Sequence, residues 1–132
     1  MAQGATRGFP TKWVRISLPR TGATLEAEVA QTPEELHKGL GGRKQPRPML
    51  FIFRGMGQWP MTMNGMLAPL DFLFLDDAGI IVDLAQNVPA GRKGPIASRS
   101  PHRYVVELPA GWISALGLYL GDGAACLPLL RR

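Results

Sequence analysis

The stretch Leu70–Leu75, LDFLFL, decides the fold of this chain, and it lies within the longer run MTMNGMLAPLDFLFLDDAGIIVD at residues 61–83. Its length and its apolar side chains predict a strand that is buried on both faces. Because side chains alternate along a strand, Asp71 is expected to point with Leu73 and Leu75, while the phenylalanines at 72 and 74 point the other way. The DDAG sequence that follows is typical of a hairpin turn, so residues 80–88, IIVDLAQNV, are predicted to form the return strand.

Apolar runs on either side of this hairpin predict further strands and two short helices. KWVRISL (residues 12–18) and TLEAEVA (24–30) are separated by a turn signal and are expected to form a hairpin with one wet face. Thr32 is suited to cap a helix of about two turns, which the glycines from Gly39 onward end. Other strands are expected at MLFIF (49–53), residues 61–64, RYVVELPAG (103–111) and GDGAACLPLL (121–130), with a helical turn at WISALGL (112–118).

These elements predict an α+β fold of mostly antiparallel β-structure, a compact barrel-like sheet with one or two short helices. The chain has 132 residues, which favours a single β-rich domain at residues 12–132. Residues 1–11 lack periodicity and are expected to be a disordered basic arm. Residues 89–101, rich in Pro, Gly and basic side chains, are expected to form a long exposed loop that is mobile or functional.

The net charge is +5, from 15 Lys and Arg against 10 Asp and Glu, which favours weak attraction to anionic partners. The basic residues are scattered, however, and the densest clusters, GRKQPR (42–47) and GRKG (91–94), are not interleaved with aromatic residues. Nucleic acid is therefore a disfavoured partner, kept only as weak binding through these basic loops. We expect a monomer.

No apolar run has the length of a signal peptide's central region or of a membrane span, so no membrane association is expected. As written, the chain is expected in the cytoplasm, or exported if a leader has been removed. Cys126 is the single cysteine, which excludes an intramolecular disulfide.

Several fragments, in order, resemble the prokaryotic family called domain of unknown function 192, whose biochemical role is not established. They are TPEELHKGLGGR, MLFIF, MNGMLAPLDFLFLD, IIVD, RYVVELPAG and GLYLGDG. The resemblance covers nearly everything from Thr24 to Leu129. The family's motif positions correspond to Gly39, Leu40, Arg43, Met49, Leu50, Phe51, Pro69, Leu70, Asp71, Glu107 and Gly111. The resemblance implies a compact, β-rich, barrel-like domain with small helices.

One segment departs from the family pattern. Family members usually read Trp-Met-Lys-Asn-Thr before the Pro-Leu-Asp motif, whereas this chain has TMNGM at residues 62–66 and keeps only Met63. If this segment forms the family's functional surface, its polar chemistry is altered here.

Asp71 and Glu107 are the candidate polar groups in buried strands. A structural role for Asp71, accepting hydrogen bonds from backbone N–H groups of the preceding turn, is the favoured interpretation. The alternative is an enzyme with a paired-carboxylate site formed by Asp71 and Glu107. Arg43 could neutralise either carboxylate.

The sequence predicts no metal and no cofactor. His37 and His102 are scattered, without the ligand spacing of a zinc site. The methionines at 56, 61, 63 and 66 allow a copper(I) site through their thioethers, but methionine more often fills core gaps or adaptable binding grooves.

The favoured function is therefore a non-enzymatic β-barrel module that binds a small ligand or a protein, with no catalytic residues assigned. The predicted ligand or partner surface comprises Arg43, Trp59, Met61, Met63, Asn64, Asp71 and Glu107.

Overall fold

The computed structural model describes residues 12–128, which form seven strands and two short helices. The elements are β1 (Trp13–Leu18), β2 (Ala23–Ala30), α1 (Pro33–Lys38), β3 (Met49–Gly57), β4 (Leu70–Leu75), β5 (Ile81–Val88), β6 (His102–Pro109), α2 (Trp112–Leu116) and β7 (Ala125–Pro128). The predicted arm at residues 1–11 and the end of the predicted last strand lie outside the described residues. Within residues 12–128, no helix is long and apolar enough to cross a membrane.

The strands form one sheet in the order β5-β4-β6-β3-β2-β1-β7. β2 and β3 run parallel, and the other neighbouring pairs are antiparallel. The sheet curls so that its two ends meet: the amide of Ala124 donates to the carbonyl of Gly79 at 2.8 Å, and that of Gly121 donates to Ile81 at 2.8 Å. The structure therefore confirms the predicted α+β fold, with the sheet curled into a half-barrel.

Each face of the sheet carries its own hydrophobic cluster. The first contains Leu73 and Leu75, joins side chains from both ends of the strand order, and so fills the inside of the curl. The second contains Phe72 and Phe74 on the outer face. The predicted alternation along β4 is therefore confirmed, and the outer cluster is covered by chain segments rather than by a second sheet.

Helix α1 begins where the sequence predicted. The amide of Glu35 donates to the Thr32 hydroxyl at 3.2 Å, and the Glu35 carboxylate accepts from the Thr32 amide at 3.1 Å. This reciprocal capping box satisfies donors that a helix N-terminus otherwise leaves free. The helix ends at Gly39, whose amide donates to the carbonyl of Glu35.

The predicted strand at residues 61–64 is wrong. Only Met61 pairs, exchanging backbone hydrogen bonds of 3.0 and 2.7 Å with Ile96. The chain then turns, because the amide of Met66 donates to the carbonyl of Met63 and Gly65 has φ of 77°. Strand β3, in contrast, extends past its predicted end at Phe53 to Gly57, with an irregular register after Ile52.

The loop at residues 89–101 is fastened to the domain at two points. Ile96 is buried against the outer cluster. Asp83 of β5 accepts hydrogen bonds of 2.8 Å from both the backbone amide and the guanidinium of Arg99. Arg99 lowers the pKa of Asp83 to about 2, so the pair stays ionised at neutral pH.

Asp71 is fully buried on β4, and backbone amides surround its carboxylate. Asn87 at the end of β5 donates to it at 2.7 Å, while Gly111 and Ile113 at the start of α2 donate at 3.1 and 2.9 Å. The structural role expected for Asp71 is thus confirmed, but its donors come from β5 and α2 rather than from the preceding turn. One side chain holds three elements together.

We expect Asp71→Asn to lower the free energy of unfolding by about 1–3 kcal/mol, because an amide NH2 would face a backbone N–H that needs an acceptor. Urea unfolding followed by circular dichroism measures the change. Asp77→Asn, in the exposed β4–β5 turn, is the matched control and should stay near the wild-type value. Equal effects of the two substitutions would show that Asp71 does not brace the fold.

Candidate functional site

A pocket of about 180 Å³ opens on the outer face of the sheet. It lies between the end of α1, strands β3 and β6, and the segment of residues 60–66, which we call the 60–66 segment. Its lining residues are Leu36, His37, Gly39, Phe51, Phe53, Pro60, Met61, Thr62, Asn64, Met66 and Glu107. We refer to this site as the Glu107 pocket.

The pocket has an exposed rim and a buried interior. His37, Thr62 and Asn64 are exposed and supply polar groups at the rim. Phe51 and Met61 are buried in the interior, where Glu107 is 1% exposed. The interior is thus apolar apart from one carboxyl group.

Strand pairing places this carboxyl on the outer face. Glu107 of β6 lies opposite Met49 of β3 and opposite Phe72 of β4, and directly opposite residues share a face of a sheet. Met49 in turn lies opposite Glu28 of β2. Glu28 and Glu107 therefore face the same side, two strands apart, at about 10 Å from the spacing of strands.

One oxygen of the Glu107 carboxyl is buried without a partner among the described residues. Among the described residues, no hydrogen-bonding group lies within reach of its Oε1 atom. Burial raises the pKa of Glu107 to about 8, because water no longer solvates the charged form. The carboxyl is therefore mostly protonated at neutral pH and ionises easily if a positive charge approaches.

Gly39 packs closely against Phe51 and the Glu107 carboxyl. It has φ of 48°, a conformation that L side chains rarely adopt. A Cβ atom added there would lie 3.0 Å from Cζ of Phe51 and 3.8 Å from Oε1 of Glu107. A larger residue would thus be strained and would crowd the interior of the pocket.

The pocket wall at Phe53 is backed by Trp59. The two rings stack with centroids 5.2 Å apart and planes 4° from parallel. The indole N–H donates to the carbonyl of Gly55 at 2.9 Å, and the Arg54 guanidinium lies 4.5 Å above the indole. Trp59 does not line the Glu107 pocket, but its ring contacts a residue that does.

The structure brings together three of the seven predicted surface residues. Met61, Asn64 and Glu107 line the Glu107 pocket, and Trp59 lies behind it. Met63 is buried in the outer cluster. Arg43 and Asp71 lie elsewhere.

The hypothesis of a paired-carboxylate site is wrong. Glu107 lies opposite Phe72, whereas the adjacent Asp71 lies opposite Leu108. Neighbouring residues of a strand point to opposite faces, so the two carboxyls are on opposite sides of the sheet and cannot act on one substrate.

The predicted role of Arg43 is wrong as well. Its guanidinium makes two hydrogen bonds, of 2.5 and 2.9 Å, to the carboxylate of Glu28. This contact raises the pKa of Arg43. Glu28 lies on β2, for which one wet face was expected, yet it is buried, and Arg43 compensates its charge.

Eight of the lining residues were not predicted as site residues: Leu36, His37, Gly39, Phe51, Phe53, Pro60, Thr62 and Met66. Gly39 and Phe51 do belong to motifs that carry the family resemblance. Thr62 and Met66 lie in the segment that departs from the family pattern. The other four could not be assigned to the site, because their proximity depends on how α1 and the 60–66 segment fold over the sheet.

The methionines do not converge on a thioether site. Met61 and Met66 line the pocket, whereas Met63 is in the core and Met56 is exposed. Within residues 12–128, no three His, Cys, Asp or Glu side chains are grouped to hold a metal ion.

Comparison with known proteins gives a family and a shared fold. The model of the DUF192 family, described as uncharacterized ACR, matches residues 16–125. The chain is similar to a protein of Sinorhizobium meliloti 1021 described as a "putative transcription regulator", with 31% identity over 92% of this chain and 98% of that one and a TM-score of 0.81. A Novosphingobium aromaticivorans DSM 12444 protein of unknown function, 23% identical over 94% of this chain and 91% of its own, has the same fold with a TM-score of 0.81. Curated proteins gave no match.

We expect Glu107→Gln to flatten the pH dependence of stability. Between the ordinary pKa of 4.5 and the folded-state value of about 8, the unfolded chain loses a proton that the folded chain keeps. The unfolded state then binds fewer protons, so the free energy of unfolding falls as pH rises, by about 1.4 kcal/mol per pH unit. The stabilisation that Glu107 contributes is present in full below its ordinary pKa of 4.5. It is lost as the pH rises through the folded-state value of about 8.

Urea unfolding at several pH values between about 5 and 8 measures this slope. Glu26→Gln is the matched control, because Glu26 is exposed on β2. If the wild type and Glu107→Gln show the same slope, Glu107 does not keep its proton in the folded state.

Proposed function

The chain belongs to the DUF192 family, as its motifs predicted, and we propose that it is a small-ligand-binding module whose binding site is the Glu107 pocket. The observation that carries this proposal is a buried carboxyl oxygen, Oε1 of Glu107, which has no partner among the described residues and lies in the apolar interior of the pocket. Few well-placed polar groups in a concave, mainly apolar site are typical of small-molecule sites.

The energetics favour a ligand for this group. A buried polar atom without a hydrogen bond costs about 1–3 kcal/mol, and native proteins contain few of them. Asp71, the other buried carboxylate of the β4–β6 pair, is fully supplied with backbone donors. A ligand that donates a hydrogen bond to Glu107 would offset the cost of burying this group. Asp71 already has its donors, so a ligand would add nothing there.

The size of the pocket favours a small molecule over a protein partner. At about 180 Å³, it is similar to an engineered cavity of about 150 Å³ that binds benzene. A stable protein interface needs about 1,000 Å² of buried surface. Gly39, Phe51 and Glu107, from three separate family motifs, meet in this pocket and support the same assignment.

Binding is favoured over catalysis because the pocket offers little acid–base machinery. Among the described residues, the titratable side chains that line the Glu107 pocket are those of Glu107 and His37, and His37 lies on the exposed rim. A two-group mechanism would need a second acid or base next to the reacting atoms, and Asp71 is on the opposite face.

Weak nucleic-acid binding is the second candidate. It is supported by the net charge of +5 and by the name of the Sinorhizobium protein. Against it, three of the five basic side chains in the two basic loops already have partners: Arg43 binds Glu28, Arg92 donates to backbone carbonyls, and Arg47 lies over the Trp13 ring. Binding through phosphates must weaken steeply with added salt, and an affinity that ignores salt excludes this candidate.

We expect benzene-sized fragments to bind saturably to the wild type in ligand-observed NMR, and Asn64→Phe to abolish this binding. Asn64 is an exposed rim residue, so the added ring would fill the mouth without disturbing the core. Leu67→Phe is the matched control, because Leu67 is exposed in the same stretch and does not line the pocket.

Tryptophan fluorescence gives a second measurement. Binding against Phe53 should change the emission of Trp59, and Trp59→Phe should remove that change while the NMR signal of binding remains. The proposal fails if no fragment binds saturably, or if Asn64→Phe and Leu67→Phe bind equally well.

A further inference from the structure

We propose that the Glu107 pocket recognises a small organic cation, whose aminium group donates hydrogen bonds to the Glu107 carboxylate while its carbon skeleton packs against Phe51, Phe53 and Met61. This inference rests on the proposed function and names the ligand class of the same site.

The first step is the match of donors and acceptors. An ionised carboxylate only accepts hydrogen bonds, and an aminium group only donates them. Oε1 of Glu107 has no donor among the described residues. Hydrogen bonds between two ionised groups are roughly twice as strong as neutral ones, so a cation gains more from this position than a neutral ligand does.

The second step is the charge around the pocket. Among the described residues, no Lys or Arg lines the Glu107 pocket. Arg43, on the adjoining part of the outer face, is already bonded to Glu28. A positive charge brought by the ligand would therefore compensate Glu107, whereas an anionic ligand would meet a carboxyl group and no Lys or Arg side chain.

The third step is the chemistry of the walls. Phe51 and Phe53 present aromatic rings to the pocket, and Met61 and Met66 present thioethers. Aromatic faces attract organic cations, and methionine adapts its shape to an apolar skeleton. The walls thus suit the hydrocarbon part of a small amine, and the carboxyl suits its charged end.

Binding should release a proton. Burial raises the pKa of Glu107 to about 8, so in the free protein near neutral pH the group is mostly protonated. When an aminium ion binds, the carboxyl loses its proton to water and the ion keeps its own. The affinity must then rise with pH until Glu107 is ionised without the ligand.

Few other titratable groups face this carboxyl. Strands β3 and β4 present Met49 and Phe72 beside it. The end of α1 contributes His37 at the rim, and β2 contributes Glu28, which is paired with Arg43. Because His37 is a second titratable group at the rim, its effect on cation binding has to be separated from that of Glu107.

The test compares benzylamine, benzyl alcohol and benzoate, which differ mainly in charge, by isothermal titration calorimetry or NMR from about pH 6 to pH 9. We expect benzylamine to bind at least about tenfold more tightly than benzyl alcohol at pH 8, from the added charge-assisted bonds. Its affinity should rise about tenfold per pH unit below pH 8 and then level off. Glu107→Gln should remove both the preference and the pH dependence while still binding benzyl alcohol.

His37→Gln identifies the titrating group. A rise in affinity with pH that persists in this variant belongs to Glu107, and one that disappears belongs to the imidazole and overturns the inference. Tighter binding of benzyl alcohol or benzoate than of benzylamine also overturns it, yet leaves the Glu107 pocket a binding site. If none of the three binds, the inference fails, and fragments that still bind in the NMR screen show that the proposed function survives.

The wild-type pH profile keeps the test decisive even if Glu107→Gln folds poorly, because it needs no variant. Benzylamine affinity that stays flat or falls between about pH 6 and pH 8 contradicts an ionising carboxylate.

Discussion

The alternation of side chains across the β4–β6 pair is the constraint on which both the scaffold and the candidate site depend. Phe72 and Glu107 lie opposite each other and face outward, while Asp71 and Leu108 face the inside of the curl. Asp71 and Glu107 belong to adjacent residue pairs of these two strands, and their buried carboxyls therefore have different environments. A shift of either strand by one residue would turn that strand's carboxyl and its apolar neighbours to the opposite face of the sheet.

The two carboxyls show how the same chemical group serves structure on one face and recognition on the other. Asp71 meets three backbone amides, two from the start of α2 and one from the end of β5, and so it fixes the elements that close the inside of the half-barrel. Glu107 meets aromatic and thioether side chains, and its Oε1 has no donor among the described residues. A carboxylate that accepts hydrogen bonds from the protein stabilises the fold. A buried carboxyl without such donors makes the stability of the folded state depend on the ligand that binds to it.

The sequence predicted the strands and the direction of Asp71 because these follow from local periodicity, which needs no knowledge of distant contacts. The strand at residues 61–64 was mispredicted because its apolar side chains outweighed Gly65, whose positive φ belongs to a turn. The partner of Arg43 and the surroundings of Glu107 could not be predicted, since both depend on where α1 and the 60–66 segment settle on the outer face. Family motifs did point to Gly39, Phe51 and Glu107, but not to the fact that they share a pocket.

The ionisation of Glu107 itself is the most direct measure of this interpretation. Its side-chain carboxyl carbon can be followed by ¹³C NMR against pH, with Glu107→Gln to assign the resonance, in the free protein and with saturating benzylamine. A midpoint near 8 in the free protein, moving to a much lower pH with the amine, is the predicted result. A midpoint near the ordinary value of 4.5, unchanged by the amine, would show that Glu107 is neither shielded from water nor a receptor for a cation.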